Sequence, residues 1–185
     1  MSQQEMSKRD SWANEVLEYA EMILTTIAVV MVLFTFVIRP AQVFGSSMYP
    51  TLEEGERILI SKLFYEPKQG DIVVVPHPNM PEGEPAIIKR VIALEGQTVD
   101  IDFETGEVWV DGELLDEPYI NEPTYDEQDF EGPLTVPKGE VFVMGDNRNA
   151  STDSRSDIFG TFDKDYILGR CIIRIAPFDK IGSVE

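Results

Sequence analysis

The chain has one cysteine and one histidine in 185 residues, and each scarcity removes a class of chemistry. A single thiol forms no internal disulfide and cannot supply a thiolate zinc cluster. Cys171 lies in the apolar run Cys171-Ile172-Ile173-Arg174-Ile175 and reads as core packing. His77 sits in Pro76-His77-Pro78, so motifs with two histidines are absent and a Ser-His-Asp triad would have to rest on a rigid loop residue. Basic residues are also few: 15 Lys and Arg against 34 Asp and Glu leave a net charge of -19. Phosphate backbones are held by clustered cations that displace counterions, so nucleic acid is not expected as a partner.

The acidity is concentrated. No Lys or Arg occurs between Arg90 and Lys138, while Glu95 through Glu131 supply 14 carboxylates interleaved with Val, Ile, Trp and Tyr, the pattern of a solvated acidic face. Asp100-Ile101-Asp102-Phe103-Glu104-Thr105-Gly106 has the opening of a calcium loop but brings its glycine one position late for that loop's turn. A hairpin tip accounts for it better, and no metal site is expected.

A chain of this length holds one ordinary domain plus an anchor. Residues 1–21 are polar and charged; residues 22–38 then run for 17 positions without a charge before Arg39-Pro40. At about 1.5 Å per residue such a helix covers roughly 25 Å of a hydrocarbon core of about 30 Å, so its flanks and a snorkelling Arg39 complete a single membrane span. The run ends Phe36-Val37-Ile38-Arg39-Pro40, without a small-x-small exit, which favours a retained anchor over a cleaved leader. Lys8 and Arg9 before the span and Arg39 after it give little charge contrast, with a lean toward the N-terminus inside.

Residues 39–185 change pattern. Short β-branched runs bounded by Gly and Pro, among them Arg57-Ile58-Leu59-Ile60, Asp71-Ile72-Val73-Val74-Val75 and Val141-Phe142-Val143-Met144, predict a mostly antiparallel β domain. Thr105-Gly106 and Asp111-Gly112 mark tight turns around a strand at Trp109, and residues 121–137, polar with three prolines, read as a surface loop.

Three segments can carry chemistry. Gly45-Ser46-Ser47-Met48-Tyr49-Pro50-Thr51-Leu52 puts hydroxyls a few residues beyond the apolar run, although a Gly-Ser-Ser turn before proline is more often only a turn. In Ile87-Ile88-Lys89-Arg90-Val91-Ile92 two cations interrupt an apolar strand, and alternation sends them to opposite faces. Burial penalises an ammonium, which answers by losing its proton, whereas a guanidinium stays charged; Lys89 is therefore the candidate neutral base and Arg90 the expected exposed neighbour. Lys62, in Ile58-Leu59-Ile60-Ser61-Lys62-Leu63-Phe64, has a similar setting, and composition does not choose between the two lysines. The third segment, Gly145-Asp146-Asn147-Arg148-Asn149-Ala150-Ser151-Thr152-Asp153-Ser154-Arg155, is a loop dense in hydrogen-bonding groups after an apolar strand, the usual location of function but also of simple loop-fixing networks.

Taken in order, an apolar anchor, Ser47 to Leu52, Gly70 to Val73, Lys89 to Val91, Gly145 to Arg148 and Ser151 to Arg155 resemble the boxes of bacterial type I signal peptidases, in the short form that lacks a large second β domain. The resemblance spans nearly the whole chain and favours Lys89 over Lys62. It implies a serine endopeptidase, without cofactor, that removes signal peptides from exported precursors. Its fold would be a coiled antiparallel β-sheet domain outside the membrane behind one transmembrane helix, with an apolar surface resting on the lipid bilayer. By the same resemblance Ser47 is the nucleophile and Lys89 the general base, Ser151 hydrogen-bonds the lysine amine, and Asp153 and Arg155 form a supporting ion pair. The oxyanion would meet the Ser47 N–H; some relatives add a serine two residues before the nucleophile, where this chain has Gly45. The leader peptide would add as a strand beside residues 42–47 and 86–89, with Val43 and Ile88 lining pockets for small side chains. Two other classes share some of these features: a membrane-tethered β module that binds without catalysis, and a self-cleaving Ser-Lys protease, which would carry a regulatory segment where this chain has an anchor.

Overall fold

A computed structural model describes residues 3–76 and 86–184; His77 lies outside them. The chain separates into two compact units, residues 1–38 and 39–185. The first is one helix, α1 (Gln3–Phe36), so the charged segment before Met22 is helical and continuous with the apolar run. Its stretch Asn14–Phe34 is long and apolar enough to cross a bilayer, and none of the residues in its apolar window is buried within the protein. The helix closes with Val37 and Ile38 N–H groups both donating to Leu33 O, and Pro40, which cannot continue a helix, follows in the first strand.

Among its described residues the second unit has eleven strands. β1 (Arg39–Gln42), β2 (Arg57–Ser61), β3 (Ile72–Val75) and β4 (Ile87–Leu94) are followed by β5 (Thr98–Asp102), β6 (Glu107–Val110), β7 (Glu113–Leu114) and β8 (Leu134–Thr135), then by β9 (Glu140–Met144), β10 (Phe162–Asp163) and β11 (Gly169–Ala176). A seven-stranded sheet has the order β1-β2-β11-β3-β4-β9-β10, and a four-stranded sheet the order β7-β6-β5-β8; every pairing is antiparallel. The expected mostly β domain is present, and its large sheet curls with the help of register shifts at Val91/Ala93 in β4 and at two points in β11.

The residues 100–106 form the expected hairpin tip: β5 and β6 pair, and Asp102 Oδ1 accepts from the N–H groups of Glu104 and Thr105. The next connection, Asp111-Gly112, has φ of 53° and 79°, a two-residue turn with both residues left-handed, which matches the twist of paired strands. Three apolar clusters fill the interior. One gathers Val43, Met48, Leu52, Ile58 and Ile88 with Cys171; burial pushes that thiol up to about 11, so it packs as a small apolar group. A second joins the two sheets through Ile92, Phe142, Val99 and Val108. The third packs Val73, Val91 and Val143 against Phe162 and Ile167.

Gly106 and Gly112 separate two causes of glycine dependence. Both have positive φ, but a Cβ at Gly106 would collide with Pro123 and the Thr124 backbone nitrogen, whereas Gly112 faces open space. Gly112→Ala is expected to cost about 1 kcal/mol through backbone strain, and Gly106→Ala more than about 2 kcal/mol through strain plus overlap, read by thermal or chemical unfolding.

Candidate active site

The segment between β1 and β2 places Ser47 over the first apolar cluster. Val43, Met48 and Leu52 point inward and are 2%, 1% and 0% exposed, which pins the backbone on both sides of Ser47 while the serine itself stays half-buried. Backbone bonds from Val43 N to Glu56 O and Gly55 N to Val43 O close the loop, and Glu56 is in turn held by both carboxylate oxygens on Arg174 at 2.7 Å. From the other side, Asn147 N donates to Ser47 O and Asn147 Nδ2 to Ser46 O, each at 3.0 Å.

Lys89 reaches this turn from the middle of β4. Its side chain is buried, and Nζ donates to Ser47 Oγ at 2.8 Å. Burial pushes its pKa down to about 8; Asp153 and Asp146 oppose the shift and Arg155 assists it. Desolvation therefore outweighs two nearby carboxylates, because each carboxylate is closed by an arginine. Asp153 takes Arg155 on both oxygens, Nε at 2.8 Å and Nη2 at 2.9 Å. Asp146 takes Arg90 in the same way, at 2.8 and 2.7 Å.

The second lysine has a different environment. Lys62 is exposed, with Nζ donating to the Asp165 carbonyl, so tertiary structure separates two lysines that look alike in sequence.

Two expectations change in detail. Arg90 is not an exposed neighbour of Lys89: it is 3% exposed, paired with Asp146, donates to Gly70 O, and lies 3.9 Å below the Tyr119 ring. The reason is that both faces of β4 are covered, Ile88 belonging to one apolar cluster and Ile87 and Val91 to another. Ser151 lies beside the pair, but its hydroxyl donates to Asp153 Oδ2 at 2.8 Å, and the hydrogen bond of Lys89 goes to Ser47. Gly145 explains how closely these groups approach, since a Cβ there would overlap Ser47 O and Ser151 Oγ.

Gly45 has φ of 71° with nothing within 4 Å of a Cβ position, so a side chain is disfavoured there by backbone conformation and not by crowding. Among the described residues no acceptor takes the Ser47 N–H. Val43 and Ile88 sit together in the cluster beneath the turn. Gly145, Asp146 and Asn147 fall in the 145–148 box that the sequence singles out, although their partners are set only by convergence in space, and Glu117 carries no sequence signal of its own.

The curled antiparallel sheet thus brings a serine hydroxyl and a buried lysine amine into hydrogen-bond contact, within a β fold that comparison with known proteins places among the peptidases. The family described as signal peptidase, peptidase S26, matches residues 16–176, and the chain belongs to it. A probable signal peptidase I-1 of Synechocystis sp. is 36% identical over 178 residues, covering 91% of this chain and 87% of that protein. Signal peptidase I S of Bacillus subtilis is 33% identical over 196 residues and aligned over the full length of both chains. A crystal structure of a signal peptidase I from Enterococcus faecalis is 32% identical, with a TM-score of 0.47, covering 57% of this chain and 97% of that one.

A buried amine with a depressed pKa makes a stability prediction that is independent of activity. The folded value is about 8 and the unfolded value 10.5, so between them the unfolded chain binds more protons and stability rises with pH. Below pH 8 the penalty is fully present. Lys89→Met is therefore expected to stabilise the protein at neutral pH by about 3 kcal/mol, with the gain shrinking as pH passes from 8 to 10.5, read by denaturant unfolding at a series of pH values.

Proposed function

We propose that this peptidase removes N-terminal signal peptides from exported precursors at the membrane surface, with Ser47 as nucleophile and Lys89 as general base. The observation that carries this reading is the 2.8 Å hydrogen bond from Lys89 Nζ to Ser47 Oγ in a site that depresses the lysine pKa. A neutral Lys89 accepts the Ser47 proton as Oγ attacks the scissile carbonyl, and returns it to the leaving amine. The acyl-enzyme is then opened by a water that the same amine deprotonates. Ser151, Asp153 and Arg155 support Lys89, the first by filling the space beside it and the pair by keeping a nearby carboxylate neutralised. The oxyanion is met by the Ser47 N–H, which no acceptor among the described residues takes, at the left-handed Gly45 turn; with no serine at position 45, a substrate-bound water or a further N–H supplies any second donor. No step of this mechanism calls on a cofactor.

The leader peptide adds as an extended strand between residues 42–47 and 86–89. Two features support this: β1 stands at an end of the large sheet, and β9 pairs with β4 only from Arg90 onward, which leaves residues 87–89 with an open edge among the described residues. Val43 and Ile88 then set the preference for small side chains at the first and third positions before the cut. The apolar run 22–38, most of which lies in the helical stretch Asn14–Phe34, crosses the bilayer once, with residues 1–21 on the cytoplasmic side and residues 39–185 as the extracytoplasmic catalytic domain.

Ser47→Ala is expected to abolish cleavage of a precursor with a small-x-small leader while leaving unfolding unchanged; retained cleavage would overturn the assignment. Lys89→Arg keeps the charge but cannot deprotonate, so it should be inactive, and Lys62→Arg near normal. The acid limb of kcat/KM should rise near pH 8, where Lys89 loses its proton, and not near 10 as for a free lysine. For orientation, Glu131→Cys should react with a membrane-impermeant maleimide on intact cells, Cys171 being buried; labelling only after membrane rupture would reverse the topology.

A further inference from the structure

The acidic stretch between β7 and β8 forms no strand, yet it is fastened along the loop that holds Ser151 and Asp153. At its start Glu117 takes the guanidinium of Arg148 on both carboxylate oxygens, at 2.9 and 2.6 Å. Arg148 is fully buried and its Nε donates to Gly145 O at 3.1 Å. Further along, Asp126 O accepts from Arg155 Nη1 at 2.7 Å, and Gln128 Nε2 donates to Ser151 O at 2.8 Å. The only other donor to that carbonyl among the described residues is Arg155 Nη2, at the longer distance of 3.2 Å.

Gln128 is held against its own preferences. Its φ is 51°, in the left-handed region that glutamine rarely occupies, and its Oε1 is buried without a hydrogen-bond partner. Local strain of this kind persists where the surroundings over-determine a conformation, and it concentrates near functional sites. The group it reaches is the backbone of the residue whose hydroxyl binds Asp153 and whose side chain abuts the Gly145 backbone next to Ser47.

We propose that Gln128 is a positioning residue for the proposed general base: through the Ser151 carbonyl it holds Ser151 and Asp153 in place beside Lys89 and keeps water away from the amine. The proposal rests on the Ser47–Lys89 reading above. The charged groups facing Lys89 are Asp153 and Arg155 on this loop and Asp146, itself closed by Arg90. Loss of the Gln128 donor leaves the Ser151 carbonyl, among the described residues, on the longer Arg155 bond alone, while Asp153 keeps the Gly145 N–H and the Arg155 fork. Water that enters relieves the desolvation of Lys89, so its pKa rises and less of it is neutral at pH 7.

The test uses the full chain in detergent micelles, with Gln128→Ala and Gln128→Met compared with wild type and with Glu131→Gln, an exposed residue of the same stretch. Cleavage of a leader peptide with alanine at the first and third positions before the cut is measured against pH, and the titration of Lys89 is followed by NMR of protein labelled at lysine Cε. Both Gln128 variants are expected to lose about tenfold in kcat at pH 7 with KM within about twofold, and the acid limb and the Lys89 titration should move together to higher pH. Glu131→Gln should match wild type. Unchanged kcat and titration with a lowered melting temperature, or failure of both variants to fold, would make Gln128 structural and overturn the proposal. If instead Ser47→Ala still cleaves the peptide, the Ser-Lys reading fails, and the Lys89 titration still decides whether Gln128 positions the amine.

Discussion

The structure around Ser47 depends on one constraint: the amine of Lys89 is out of water, and every charge near it must be compensated. Burial alone drives the pKa down, but Asp153 and Asp146 lie close enough to drive it back up. A bare carboxylate in a buried site would hold the ammonium form and would itself be costly. Each is instead locked in a two-point ion pair with a guanidinium, so that the lysine faces paired charges and desolvation prevails. Arginine suits this role because it stays protonated when buried and its planar fork meets both carboxylate oxygens.

This constraint gives meaning to the unusual charge balance. The chain has few cations, yet three arginines, Arg90, Arg148 and Arg155, are almost fully buried, each on a carboxylate: Asp146, Glu117 and Asp153. Removing one partner from such a pair strands the other charge and costs on the order of 3–5 kcal/mol. The network also ties distant segments together, since Glu117 comes from the connection between β7 and β8, Arg90 from β4, and Asp146 and Asp153 from the loop after β9. The acidic stretch, which alone would be a solvated face, supplies at least one of these partners and lays its backbone along the same loop.

The apolar clusters set the other boundary of the site. Met48 and Leu52 anchor the turn that carries Ser47, and Val73, Val91 and Val143 fix the strands that carry Lys89 and the loop after β9. Gly145 lies where these elements meet and has no space for a Cβ. Side-chain volume at that single position decides whether the Ser47 turn and Ser151 can lie side by side.

Much of this was determined by sequence alone. Periodicity is local, so the β-branched runs located β2, β3, β4, β6, β9 and β11 nearly to the residue, and the uncharged run located the apolar part of α1. Motif order along the chain pointed to Ser47, Lys89 and the 145–155 loop. What sequence left open was contact. Lys62 and Lys89 have similar neighbours in the chain, and only the packing of β4 between two clusters buries one, while the other, just past the end of β2, stays exposed. Alternation sent Arg90 outward, because period-2 reasoning assumes that one face of a strand meets water, and Tyr119, arriving from 29 positions later, covers that face. The short strands β1, β5, β7, β8 and β10 depend on partners more than on their own residues, as does the placement of Ser151 on Asp153. Local preference is written in consecutive residues; burial and charge pairing arise only when residues far apart in the chain meet, and the acid-base character of this site is of the second kind.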